Sequence, residues 1–135
     1  MATASRKVYF DYDILEKFEA GIELLGFEVK SVKTGHARLE GGRVLIRGNE
    51  AFAVGISIPP YQQNNTPKDY EPDRTRKLLI HKKEIRYLIG KSREQGLTLV
   101  PIKLYNKGSK VKLEFGVARG KKKYEKKREL KERDL

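Results

Sequence analysis

The sequence predicts a mainly β domain with short helices: a small antiparallel barrel, closed or nearly closed, that carries a basic C-terminal tail. Three observations carry this expectation. Apolar residues alternate with charged or small ones along several segments, which is the period of half-buried strands. Glycine-containing turns join four of these segments into two hairpins. Helical periodicity is confined to two short stretches.

Taken in order, residues 9–23, "YFDYDILEKFEAGIE", first resemble an amphipathic helix opened by Asp13. At period two, however, Tyr12, Ile14, Phe18, Ala20 and Ile22 share one face while Asp11, Asp13, Lys17, Glu19 and Glu23 share the other, so a strand is predicted. In "LLGFEVKSVKTG" the period changes: Leu25, Val29 and Val32 form a helical stripe that Gly35 can end. "RVLIRGNEAFAVGISI" reads as a hairpin turning at Gly48 and Asn49, its second strand carrying Phe52, Val54, Ile56 and Ile58 among small residues and therefore central. Residues 59–73 hold four of the five prolines and form a long, mobile loop.

"RTRKLLI" is the next strand. "HKKEIRYLIGKSREQG" is a helix with Ile85, Leu88 and Ile89 inward and Gly96 at its end. A second hairpin places Val100, Ile102 and Leu104 opposite Val111, Leu113, Phe115 and Val117 across a turn at "NKGS". About six strands and two helices make one domain over residues 1–118, leaving 119–135 as a tail. The tail has no apolar stripe to dock a helix, although Lys121 with Glu125 and Arg128 with Glu132 favour one. It is expected to be disordered alone and to become helical against a polyanion.

The charge supports such a partner. The chain carries 30 Lys and Arg against 18 Asp and Glu, a net +12, and nine of those basic residues lie in the tail. Basic residues that neutralise phosphates release counterions, so nucleic acid leads and a membrane surface is the rival. No segment has the roughly 18 apolar residues of a span, and "MATASRKVYF" has no signal-peptide core, so a cytoplasmic protein without a membrane partner is expected. With no cysteine and two isolated histidines, His36 and His81, neither a metal nor another cofactor is expected.

Catalytic chemistry finds no constellation: there is no nucleophile elbow, phosphate loop or dinucleotide fingerprint. Asp11, Asp13 and Glu16 read better as a solvated strand face than as a carboxylate cluster. The densest basic run is "RTRKLLIHKK", residues 74–83. Residues two apart on a strand point the same way, so Arg74 and Arg76 are expected to grip adjacent phosphates, with Lys77 and Leu79 opposite. His81 precedes a helix with Glu84 three residues on, a capping arrangement. Tyr9, Phe10 and Tyr12 follow Arg6 and Lys7, an interleaving that suits RNA as well as a strand core.

Four segments together resemble the SmpB family, the small basic partners of transfer-messenger RNA: "FEAGIELLGFEVKSVKTG", "DRTRKLLIHKKEI", "GLTLVPIKLY" and "GVARGKKKYEKKRELKERD". The resemblance implies an OB-like barrel with external helices. It further implies a monomeric, non-enzymatic adaptor that binds the tRNA-like domain of transfer-messenger RNA and brings it to stalled bacterial ribosomes. On this resemblance Glu19 in "FEAG", Leu79 in "RKLLI" and His81, where relatives carry Asn or His, match the surface used on the RNA elbow. Lys30, Arg74, Arg76 and Lys77 lie in the same motifs and join that surface on charge, as do Arg6 and Lys7. Ser5 departs from the Asn that many relatives carry.

The family's tail is implied to enter the small-subunit decoding centre and the empty message channel. Gly120, Lys121 and Lys122 match its G-K-K element. Tyr124, Glu125, Lys126, Lys127 and Arg128 follow, where relatives often read Tyr or His and then Asp-Lys-Arg. Charge alone, without the resemblance, points to a general nucleic-acid-binding or ribosomal structural protein of the same fold.

Overall fold

The computed structural model describes residues 2–5, 7–62, 64 and 66–122. In chain order the elements are β1 (Ala2–Ala4), α1 (Val8–Asp11), β2 (Tyr12–Ile22), α2 (Gly26–Lys33), β3 (Arg43–Arg47), β4 (Glu50–Val54), β5 (Arg76–Leu79), α3 (Lys82–Arg93), β6 (Leu97–Lys107) and β7 (Lys110–Gly120). The strands form one antiparallel sheet in the order β1-β6-β7-β2-β5-β4-β3.

That sheet corrects the expected barrel. Its two end strands, β1 and β3, do not pair with each other among the described residues. The sheet instead coils until β3 packs against β6 without a ladder between them. β1 contributes only three residues, and α2 packs beside it while α3 packs beside β3, so helices take the places a closing strand pair would occupy.

Inside the coil lies the main core, where Leu104, Leu113, Phe115 and Val117 of the long hairpin meet Val32 of α2 and Leu88 of α3. The predicted face of β2 holds: Ala20 and Ile22 are buried and Phe18 stacks on Phe115 with ring centroids 5.7 Å apart. β6 serves two cores because its register shifts between Pro101 and Lys103. Leu99 and Leu104 enter the main cluster, whereas Val100 and Ile102 join Val8 and Ala118 in a smaller one beneath α1.

Two predicted strands change where the backbone forces them to. The first begins at Tyr12 because Val8–Asp11 winds into a single helical turn with Val8 buried. The second hairpin strand ends at Val54: Gly55 adopts φ 72°, and a Cβ there would lie 2.9 Å from the Gly41 carbonyl oxygen. The break changes the facing, so that Ala51 and Ala53 look into the core and Phe52 and Val54 remain half-buried, while Ile56 and Ile58 are fully buried beyond it. β4 is nonetheless central, between β3 and β5, as its uncharged faces predict. No helix among the described residues is long and apolar enough to cross a membrane.

Candidate nucleic-acid interface

β5 alternates strictly, and this alternation separates the arginines from the exposed groups. Arg76 and Leu78 are buried, whereas Lys77 and Leu79 face outward. Arg76, expected beside Arg74 on a phosphate, has no exposed surface. Its guanidinium meets Glu28 Oε2 through Nε at 2.9 Å and Nη2 at 2.6 Å, and donates to the carbonyls of Ile56, Pro72 and Arg74. Arg74 is partly exposed and closes on the same carboxylate, with Nη2 2.5 Å from Oε1. The Leu25 N–H donates to Oε1 at 2.7 Å, and the Tyr70 hydroxyl stands 2.8 Å from Oε2.

Burial alone would push the Glu28 carboxyl up. Arg74, the Leu25 amide, Arg76 and Tyr70 outweigh it and hold the carboxyl at about 2. Burial and the Glu28 charge together push the Tyr70 phenol up to about 12. The cluster joins α2, β5 and the segment 59–73, which is therefore pinned at Tyr70 and Pro72. Arg76 serves the fold and Arg74, still partly exposed, shares its carboxylate; the sequence offered no sign that Glu28 is buried beneath them.

Across the other face of β5 lies a groove of about 520 Å³. It is lined by Glu19 and Gly21 of β2, Lys77 and Leu79 of β5, His81 and Lys82 at the start of α3, and Lys112 of β7. Leu79 is 55% exposed, unusual for a leucine in a sheet. The Glu19 carboxylate accepts from the Tyr105 hydroxyl and from Lys107 Nζ at 3.3 Å. Lys77 pairs with Glu50 at 3.0 Å, which raises its pKa. His81 is the N-cap residue of α3, but its side chain makes no cap hydrogen bond, so the imidazole is left to the groove.

The remaining expected residues lie elsewhere. Lys30 is exposed on α2 and does not line the groove. Lys7 precedes α1 and lines a small cleft with Asp11, Tyr12 and Arg43. The cation–aromatic pairs Lys17 on Tyr9 and Arg43 on Tyr12 flank this end. Arg6, Tyr124, Lys126, Lys127 and Arg128 lie outside the described residues. Gly120 ends β7 opposite Tyr12, so the strand runs two residues past the expected boundary at 118. Lys121 then donates from its amide to the Asp11 carbonyl at 2.9 Å and from Nζ to the Tyr9 carbonyl at 2.8 Å, while Lys122 is exposed. Of the carboxylates weighed as a cluster, Glu16 accepts from the Tyr87 hydroxyl and Asp13 is exposed.

An antiparallel sheet that sets lysines around an exposed leucine and a free imidazole has the build of a nucleic-acid-binding domain. The chain belongs to the SmpB family, whose model, described as "SmpB protein", matches residues 2–135. An SsrA-binding protein of Microcystis aeruginosa is 51% identical over 97% of this chain and 85% of its own length. Another from Carboxydothermus hydrogenoformans is 52% identical over 96% and 87%. Among solved structures, a chain from "tmRNA-SmpB: a journey to the center of the bacterial ribosome" superposes with a TM-score of 0.76 at 42% identity, covering 92% of this chain and 87% of that one.

Proposed function

We propose that this chain is an RNA-binding adaptor without catalytic activity that binds the tRNA-like domain of transfer-messenger RNA and delivers it to stalled ribosomes in the cytoplasm. The observation that carries the RNA site is one groove shared by Glu19, Leu79 and His81, from β2, β5 and the start of α3. Membership of the SmpB family supports the partner. Lysines 77 and 82 supply phosphate contacts, and the exposed Leu79 supplies an apolar surface for a sugar or base. Residues beyond Lys122 are the part that reaches the decoding centre and the vacant message channel, with Gly120, Lys121 and Lys122 at their root.

Gel-shift binding to a tRNA-like-domain transcript, competed with bulk RNA, tests the first half. Leu79→Ala should weaken that binding by about tenfold or more at an unchanged urea midpoint. Equal competition by bulk RNA would identify a general binder instead. A chain ending at Lys122 should bind the transcript like the full chain and lose peptide tagging; retained tagging would refute the tail's role.

A further inference from the structure

Four strands place one residue each in a single cross-strand row on the outer face of the sheet. Leu79 of β5 pairs with Gly21 of β2, Gly21 with Lys112 of β7, and Lys112 with Tyr105 of β6. Residues directly opposite one another share a face, so Leu79, Gly21 and Lys112 line the groove together and Tyr105 continues the row beside Lys112.

Nothing in the fold requires the glycine. Its φ is not in the left-handed region, unlike that of Gly55 or Gly108. The three atoms nearest a Cβ built there all belong to Leu79, with its Cβ at 3.4 Å and its Cδ1 at 3.5 Å, which is ordinary van der Waals contact. Glycine within a strand costs stability through backbone entropy and an unfilled surface. The empty position therefore reads as room for a ligand that approaches the backbone closely.

Lys112 adds the charge. It is half-buried in the groove, and no ion pair holds it among the described residues, whereas neighbouring Lys77 and Lys107 are paired to Glu50 and Glu19. Tyr105 is fixed by its hydrogen bond to Glu19, and Lys103 sits 5.0 Å from its ring centroid. A fixed aromatic ring, a vacant glycine position and an unpaired ammonium fit a nucleotide with its phosphate.

We propose that Gly21 and Lys112 form the floor of the RNA site, where the sugar–phosphate backbone lies against the sheet between Leu79 and Tyr105 and gives one phosphate to Lys112. This rests on the groove being the RNA site, and adds to it the point of closest approach and a contact that the sequence did not single out.

The test uses the full chain and a tRNA-like-domain transcript, with affinity measured across a salt series and folding followed by the urea midpoint. Gly21→Val is expected to weaken binding at least about tenfold, with Gly21→Ala intermediate. Lys112→Gln should flatten the plot of log affinity against log salt by roughly 0.7–0.9, the value of one phosphate contact. Parent-like affinity and slope in both Gly21→Val and Lys112→Gln, while Leu79→Ala still loses binding, would overturn the inference and leave the groove assignment standing. If Leu79→Ala also bound like the parent, both would fall. Should Gly21→Val lower the urea midpoint, the Lys112→Gln slope decides alone.

Discussion

Glu28→Gln should unfold the domain far more readily than any surface change. A carboxylate held at about 2, against an ordinary 4.5, is stabilised in the fold by about 3 kcal/mol relative to its protonated form. The amide would also turn an N–H₂ donor toward guanidinium donors and leave Arg76 buried without its counter-charge, for which a loss of about 3–5 kcal/mol is expected. A domain of this length has roughly 7–20 kcal/mol in total. With a urea dependence of about 1–3 kcal/mol per molar, the midpoint should fall by at least about 1 M.

The pH dependence follows in sign. Because the folded carboxyl titrates below the unfolded one, its stabilisation is complete above about 4.5 and is lost as pH falls toward about 2. The parent should therefore lose stability across that window more steeply than Glu28→Gln, which has no proton to bind there. A midpoint change smaller than about 0.3 M, or parallel pH profiles, would refute the assignment of the cluster as the fold's ionic clamp.

Two further expectations concern the backbone and the tail root. Gly55→Ala should cost at least about 1–2 kcal/mol, since alanine pays for the left-handed conformation and its Cβ meets the Gly41 carbonyl; an unchanged thermal midpoint would contradict this. Lys121→Met removes the side-chain bond to the Tyr9 carbonyl that ties the strand end to α1. Tagging should fall while tRNA-like-domain binding stays at the parent value, and loss of both would show that Lys121 supports the RNA site itself.

Strand alternation made much of the sheet legible from the sequence. The inward residues of β2 and α3, and of β7 as far as Phe115, are those that periodicity selects, because each stretch has a single buried face. Where one strand serves two cores, as β6 does around Ile102, a single face could not describe it. The fate of the arginines was hidden for a related reason. A charged side chain is assigned outward by default, and only tertiary contact with Glu28, 46 and 48 residues away, reverses that assignment. Glu19, Leu79 and His81 were found through family resemblance, whereas Lys112 and Gly21 emerge only from the cross-strand register.

Alternation on β5 also sets a trap for mutagenesis. The clamp holds the strand from inside and the groove uses its outside, so an Arg76 variant should lose RNA binding without Arg76 touching RNA. Glu28 separates the two explanations by sign. If charge near β5 governed affinity, removing a carboxylate with Glu28→Gln would strengthen binding to a polyanion. If the clamp acts by positioning Lys77 and Leu79, Glu28→Gln and Arg76→Gln should weaken binding together, although one removes a negative and the other a positive charge. The salt dependence of the folded fraction should then match the parent in both, because no phosphate contact has been deleted. Tighter binding by Glu28→Gln, or a flattened salt slope confined to Arg76→Gln, would return the buried arginine to the RNA interface.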